Sequence, residues 1–168
     1  EGTRPILIEI QALVDKSMLP NPKRLTVGTD AQRLTMLLAI LHRHVTLSTY
    51  DQDVFLNAVG GIKINETASD LAVLIAIVSS MTNQAVSSKT AIFGEVGLGG
   101  EIRPVSRGQE RIKEASKLGF KRIIVPLKNK ASDIPDVEII GVDNLRDAVK
   151  VVFGSNRVKN DEQIYPDE

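Results

Sequence analysis

Cysteine is absent from this chain of 168 residues. Its absence excludes a disulfide scaffold, a thiol nucleophile and any zinc or iron–sulfur site held by cysteine. Long apolar runs are missing too, since the strongest, residues 71–78, is far shorter than the roughly 20 residues that span a bilayer. No basic segment followed by an apolar stretch marks a signal peptide at the N-terminus. The chain also starts at Glu1 rather than Met, so we expect a piece of a longer protein. The missing cysteines are compatible with a reducing cytoplasm, where we expect the protein, and the missing apolar run predicts no membrane partner.

What is present is typical of a globular domain. About 42% of the residues are hydrophobic and 25% are charged, and a chain of this length buries enough surface for one independent core. We expect a single domain over residues 3–153. Residues 154–168 are polar, and we expect them to form a disordered tail.

The hydrophobic periodicity predicts strands that alternate with helices. Thr29 and Thr67 are the expected N-caps of the first two helices, the former in a capping box with Gln32. A β-hairpin is expected to join 91–96 to 101–105 across a run of glycines. The other expected strands are 4–14, 25–28, 54–64, 122–125 and 137–142, and the expected helices are 29–44, 67–80, 108–118 and 144–152. The predicted fold class is therefore α/β, or α+β, in one domain.

Charge is balanced overall, with 21 basic and 21 acidic residues, but it is segregated along the chain. Residues 101–130 hold nine basic and three acidic side chains, a net charge of +6, whereas residues 131–168 carry −5. One interpretation is a solvated helix laced with ion pairs, because Glu110 and Lys113, like Glu114 and Lys117, are three residues apart. The other interpretation is an anion-binding face.

Few residues offer catalytic chemistry. The glycine-rich stretch 94–105 lacks the Lys-Ser/Thr of a phosphate-binding loop, so its glycines are interpreted as hairpin residues. His42 and His44 lie two apart on one helix, on different faces, and are poorly placed to share a metal. A serine activated by a lysine remains an option, with Ser69 and Lys113 as candidates. Serine at a helix start is more often a cap than a nucleophile.

The run 60–126 resembles the proteolytic domain of the Lon protease family. The shared frame consists of Gly94, Glu95, Val96, Leu98, Gly100, Pro104, Gly108 and Pro126. In this alignment Ala68 occupies the position of the catalytic serine, Asp70 that of a glycine, and Gln109 that of the catalytic lysine. The resemblance implies the Lon protease-like fold, also described as ribosomal protein S5 domain 2-like, with both halves of the protease dyad degenerate. No catalytic residue is therefore assigned.

A closer resemblance is to the C-terminal Lon-like domain of the RadA family of bacterial DNA repair proteins. The matching stretches are 1–5, 50–54, 59–61, 93–98, 100–105 and 119–122. The resemblance implies a longer protein with a zinc finger and a RecA-like ATPase that uses ATP and magnesium, all outside this chain. Such proteins are DNA-dependent ATPases that promote branch migration of recombination intermediates as hexameric rings. Within this chain no cofactor or metal site is expected.

The resemblance and the basic segment together suggest that the domain scaffolds ring assembly and touches single-stranded or branched DNA, with a recombinase as a further partner. The side chains expected to contact phosphates are Arg103, Arg107, Arg111, Lys121 and Arg122. The same charges could instead meet an acidic face of a neighbouring subunit that contains Asp133, Asp136 and Glu138. Two alternatives stay open: a residual peptidase using Ser69 with Lys113 or Lys63 as base, and a passive scaffold without DNA contact.

Overall fold

A computed structural model describes residues 4–154. Strands β1 (Ile10–Lys16), β2 (Arg24–Val27) and β3 (Gln52–Ala58) form a mixed sheet in the order β1-β3-β2. β3 is antiparallel to β1 and parallel to β2. Side chains alternate along each strand, so that Val54 and Leu56 of β3 are buried whereas Leu13 and Leu25 are exposed on the other face.

Helices α1 (Ala31–Val45) and α2 (Asp70–Thr82) pack with this sheet. α1 is amphipathic and buries Leu34, Leu37 and Leu41. α2 is apolar almost all round, and Leu71, Leu74, Ile77 and Val78 have no exposed surface. Because each such side chain contributes about 2 kcal/mol when it leaves water, α2 is the centre of the core.

The second half of the chain forms a parallel sheet. Strands β4 (Thr90–Ile92), β7 (Arg122–Pro126) and β8 (Glu138–Val142) lie in the order β4-β7-β8. Between β4 and β7 the chain makes a small hairpin, β5 (Glu95–Val96) with β6 (Ile102–Arg103), and helix α3 (Gly108–Lys117). Helix α4 (Leu145–Phe153) follows β8. α3 packs on the Ile123 side of β7, whereas Ile124 packs into the main core with α2 and α4.

The structure confirms the α/β class but moves several predicted strand boundaries. The first strand begins at Ile10 rather than at residue 4, and β3 ends at Ala58, before the glycine pair. The predicted hairpin was wrong in part, because Ala91 and Ile92 pair with β7, and only two residues on each side form the hairpin. The chain changes sheets at Gly94, whose amide and carbonyl bind the carbonyl of Ala68 and the amide of Leu71.

The two predicted threonine caps are also wrong. The N-cap of α1 is Asp30, whose carboxylate accepts hydrogen bonds from the amides of Gln32 and Arg33. Thr67 begins a 3₁₀ turn, Thr67–Ser69, that precedes α2, and its hydroxyl donates to Glu95 instead. Because Asp and Thr are both good N-caps, the sequence alone does not show whether Thr29 or Asp30 caps α1. The predicted tail lies outside the described residues apart from Gly154.

Candidate functional site

The start of α2 and the edge of the parallel sheet enclose a cleft of about 690 Å³. Its floor is made of small side chains, including Ala68 and Ala72 of the 3₁₀ turn and α2. The cleft is also lined by β4 and α3, by residues 62–66 and by the segment 4–10 that leads into β1. This is where Ala68, at the degenerate serine position, is located, and the side chain is 7% exposed.

Neither of the two residues that the Lon resemblance places at the dyad positions, Ala68 and Gln109, offers proton-transfer chemistry. Ala68 supplies a methyl group, and its carbonyl accepts the amide of Gly94 at 2.8 Å. Gln109 lies on α3, and its side-chain amide donates to the carbonyl of Asn129 in the loop after β7. Gln109 therefore helps to hold the start of α3, together with Asn129, whose side chain binds both backbone groups of Val105.

The structure does not assemble the alternative dyad. The Ser69 hydroxyl donates to the carbonyl of Glu66 at 3.1 Å, within its own turn. Lys113 is exposed on α3 and is not part of the cleft wall. Lys63 does line the cleft beside Ser69, but no hydrogen bond joins the two side chains within residues 4–154.

A buried ion pair that the sequence did not reveal joins α1 to α2. Asp70, 2% exposed, accepts two hydrogen bonds from the Arg33 guanidinium and one from the amide of Val96 at 3.1 Å. Arg33 also donates to the carbonyl of Val96, at 3.1 Å. The hydrogen bond to Asp70 raises the pKa of Arg33 above its ordinary value. The residue at the degenerate glycine position thus fastens two helices and the β5–β6 hairpin.

The glycine-rich turn of the hairpin wraps around a carboxylate of the same chain. A Cβ on Gly97 would lie 1.8 Å from Glu101 Oε1, and one on Gly100 would lie 2.8 Å from the ring of His44. The His44 Nε2 group lies 2.9 Å from the carbonyl oxygen of Leu98 and fixes the turn to α1. These glycines permit close packing, and no phosphate is needed to explain them.

Three predicted phosphate contacts lie at one end of the parallel sheet. Arg103 is 56% exposed and binds Glu101 at 2.8 Å, with Glu95 at 3.9 Å. Arg107 is exposed at the start of α3, in a left-handed conformation with φ of 59°. Arg111 is more buried, and it binds the Glu66 carboxylate at 2.9 Å and the Ser106 carbonyl at 3.0 Å.

The other two predicted contacts lie at the opposite end. Lys121 precedes β7, and Arg122 is the first residue of that strand. Arg107 and Arg111 lie near Asn129, beyond the far end of the strand. The strand between them rises by roughly 13 Å. Lys121 is exposed, and Arg122 donates to the Val151 carbonyl at 2.8 Å with Glu138 at 3.7 Å. The structure therefore does not gather the five residues into one cluster.

Within the described residues the predicted pairs Glu110–Lys113 and Glu114–Lys117 do not form, although Arg111 and Glu114 of α3 each form an ion pair with a residue outside the helix. Glu114 binds Arg4 at 2.8 Å instead of Lys117. Within residues 4–154 no lysine of the basic segment has a carboxylate within 4 Å. The exposed lysines of this segment that lack such a carboxylate within the described residues are Lys113, Lys117, Lys121, Lys128 and Lys130. The positive charge of these lysines is therefore not neutralised within the described domain, whereas that of Arg111 on α3 is paired with Glu66.

The described residues do not fit the ATP, magnesium and zinc implied for a longer protein. Over residues 4–154 no three or more His, Asp or Glu side chains gather where they could hold a metal ion. The printed sequence contains no phosphate-binding loop. None of the helices described is both long enough and apolar enough to cross a membrane.

Together, the fold and the cleft define an α/β domain in which a buried alanine, Ala68, stands just before α2. The family model described as subunit ChlI of Mg-chelatase matches residues 35–129, more than half of the chain, so the chain belongs to that domain family.

The resemblance to the RadA family is confirmed. The chain is 56% identical over 154 residues to DNA repair protein RadA of Pseudomonas aeruginosa, covering 91% of the chain and 34% of that relative. It is 56% identical over 152 residues to the Escherichia coli protein of that name, covering 90% and 33%, respectively. For the Bacillus subtilis protein the identity is 44% over 156 residues, covering 92% and 34%. The chain thus spans about a third of the length of these relatives.

Proposed function

We propose that this chain is a non-proteolytic, Lon-like domain of a cytoplasmic DNA-dependent ATPase that promotes branch migration of recombination intermediates. In this role the domain supports a homo-hexameric or larger ring and contributes positive charge to the path of single-stranded or branched DNA. ATP and magnesium belong to the ATPase part of such a protein and zinc to its zinc finger. A recombinase is a further partner in this proposal.

The observation that carries the DNA part of the proposal is the unpaired lysine face of α3. Lysines without an internal carboxylate are available to phosphates, and their contacts are independent of sequence and sensitive to salt. Lys113 and Lys117 are four residues apart and share one face of α3. Lys121 follows after the turn at Gly119. Three of the arginines predicted from the sequence to contact phosphates each bind a carboxylate of this domain: Arg103, Arg111 and Arg122. We therefore expect them to contribute less to DNA binding than the lysines.

The test is DNA affinity as a function of salt, in the full-length protein that carries this domain. The variant replaces Lys113, Lys117 and Lys121 with Ala. If each lysine neutralises one phosphate, the slope of log affinity against log salt falls by about 2 on single-stranded DNA. A matched control replaces Lys16, Lys23 and Lys150, three exposed lysines elsewhere, with Ala.

An unchanged slope in the α3 variant would exclude these lysines from the DNA path. A second variant, Arg103→Ala with Arg107→Ala, then tests the other end of the sheet. If neither variant changes the slope but both weaken ring assembly, the charge meets a neighbouring subunit instead, and an acidic face containing Asp133, Asp136 and Glu138 is the expected contact.

The ring part of the proposal is tested by sedimentation velocity of this chain over a wide concentration range. A concentration-dependent hexamer or larger species supports ring contacts within this domain. A monomer at every concentration assigns assembly to the rest of the protein, which leaves this domain as a contact surface or a passive scaffold.

Residual peptidase activity is not favoured by the geometry. The Ser69 hydroxyl is already bound to a carbonyl in its own turn, and Lys113 lies outside the cleft. Cleavage of a fluorogenic peptide that disappears in Ser69→Ala would restore that alternative.

A further inference from the structure

The outer face of the β1-β3-β2 sheet is left uncovered by residues 4–154. Helices α1 and α2 bury the inner face, which carries Val54 and Leu56. On the outer face Leu13, Leu25 and Val27 are 58%, 56% and 55% exposed. Single exposed apolar side chains are common on protein surfaces, whereas a contiguous apolar patch marks an interaction site. The register of the three strands shows that these side chains form such a patch.

The register aligns the apolar side chains in one row. Phe55 lies opposite Leu13 on β1 and opposite Leu25 on β2, so the three residues cross the sheet side by side. Because alternate residues share a face of a strand, Val27 lies on the same face as Leu25, next to this row. The hydrogen-bonded strands hold all four positions, which gives the patch a fixed shape.

Polar side chains border the apolar row at both ends of the strands, and the two ends differ in chemistry. At one end are two carboxylates in register with each other, Asp15 on β1 and Asp53 on β3. Lys23 is an exposed cation just before β2, and its amide donates to the Asp53 carboxylate at 2.6 Å. At the other end are two carboxamides in register, Gln11 on β1 and Asn57 on β3. One end of the face thus offers anionic acceptors, and the other offers N–H donors.

This pattern is complementary to itself. When a second copy is stacked face to face about a two-fold axis that follows the apolar row, each residue of the row meets its own counterpart. Asp15 of one copy then faces Gln11 of the other, and Asp53 faces Asn57, and the symmetry makes each contact twice. A two-fold axis along the strands would instead place Asp53 against Asp53, a like-charge contact that costs free energy. The outer face therefore favours the first arrangement.

We propose that this chain pairs with a second copy through the outer faces of their β1-β3-β2 sheets, about a two-fold axis along the row of Leu13, Phe55 and Leu25. The two sheets lie about 10 Å apart, as in a β-sandwich, and carboxamides donate to carboxylates across the interface. A two-fold contact does not close a hexameric ring, which needs head-to-tail contacts. It joins two separate chains or chains of two different rings, so it depends neither on the proposed ring nor on DNA contact.

The first test is sedimentation equilibrium of this chain up to millimolar concentration. A patch of four apolar side chains is smaller than the roughly 800 Å² that each partner contributes to a standard interface, so we expect a dimer with a dissociation constant of roughly 0.1 mM. Leu13→Gln should weaken the dimer by about tenfold or more, because the symmetry places the change on both sides of the interface. Leu118→Gln, at a position that is 54% exposed after α3, should leave the dimer unchanged. Circular dichroism checks that both variants fold.

The second test exchanges the two ends of the face. Gln11→Glu brings a carboxylate against Asp15 of the other copy, twice, and should weaken the dimer by about tenfold at neutral pH. Adding Asp15→Gln to that variant restores an acid facing an amide, and we expect the dimer to return. Recovery in the double variant is a result that a merely structural role of either residue would not produce.

Three outcomes would overturn the pairing. A wild-type chain that stays monomeric up to millimolar concentration would leave the face to a different protein or to another part of a longer chain. A dimer or hexamer that does not respond to Leu13→Gln would place the contact elsewhere, and in the case of a hexamer the ring would stand while the pairing fails. A dimer that Gln11→Glu weakens and the double variant does not restore would exclude the proposed axis.

Discussion

The two helices beside the cleft handle charge in opposite ways. At the start of α2, Asp70 is buried and its charge is neutralised by Arg33 and the Val96 amide. On α3, Lys113 and Lys117 are exposed and no carboxylate of the described domain pairs with them. A charge neutralised inside the domain holds elements together, whereas a charge left exposed is available to another molecule. The first is structural, and the second is the better guide to a partner.

The strongest test of this contrast removes the buried carboxylate. Asp70→Ala leaves the Arg33 guanidinium and the Val96 amide without their acceptor, and we expect a loss of about 3 kcal/mol in the free energy of unfolding. Urea denaturation measures it. Asp15→Ala, which removes an exposed carboxylate from β1, should change stability by less than about 0.5 kcal/mol. Similar losses in both variants would mean that Asp70 holds nothing together.

A second test concerns the β5–β6 hairpin, to which Asp70 is bound, and compares substitutions at two glycines. Gly100 and Gly119 both have positive φ, +76° and +92°, but only Gly100 has a neighbour, the His44 ring, where a Cβ would be placed. We expect Gly119→Ala to lower the free energy of unfolding by about 1 kcal/mol, and Gly100→Ala to lower it by about 2 kcal/mol, because steric overlap is added to backbone strain. Thermal unfolding of the two variants separates the effects, and equal losses would show that His44 yields to the new methyl group.

A smaller effect concerns Glu101 in the hairpin. Its own backbone amide and then Arg103 hold the pKa of this carboxyl below its ordinary value of 4.5. A lowered pKa in the folded state contributes stability above pH 4.5 that is lost as the pH falls through the folded-state value. Arg103→Ala should raise the pKa of Glu101 towards 4.5, as measured by NMR titration, and Arg43→Ala should leave it where it is. An identical titration in all three proteins would remove Arg103 from this role.

The smallest expected change belongs to α3. Replacing Lys113 and Lys117 with Ala removes no ion pair within residues 4–154, so the free energy of unfolding should change by less than about 0.5 kcal/mol. The same urea experiment applied to Asp70→Ala measures it. A loss above 1 kcal/mol would show that these lysines hold the fold, and the contrast between the two helices would disappear.

Local patterns predicted most of the elements because their causes are local. Leu34, Leu37, Leu38 and Leu41 follow helical spacing, and α1 forms there. The polar site was not predictable in this way. Nothing near Asp70 in the sequence indicates its partner Arg33, which lies 37 positions earlier. The sheet switch at Gly94 likewise depends on a hydrogen bond to Ala68, 26 residues away, so a continuous hairpin was the natural expectation.

The Lon-like frame assigned Ala68 and Gln109 to the dyad positions without any contact information, and that assignment stays a prediction. The frame could not predict in which direction each side chain points. Gln109 turns towards Asn129 rather than towards Ala68, and the i,i+3 spacing of Glu114 and Lys117 gave no hint that Arg4, over a hundred positions away, would take the carboxylate. Side-chain partners of this kind are decided by tertiary packing.

The β5–β6 hairpin is very short, yet it is fastened on both sides. His44 holds its tip to α1, while the amides of Ile102 and Leu145 bind the carbonyls of Asp143 and Gly100 and tie its return to the start of α4. Leu98 stands at that tip, 70% exposed. Because these hydrogen bonds join the hairpin to both helices, moving its tip away from the domain would break contacts with α1 and with the start of α4 together.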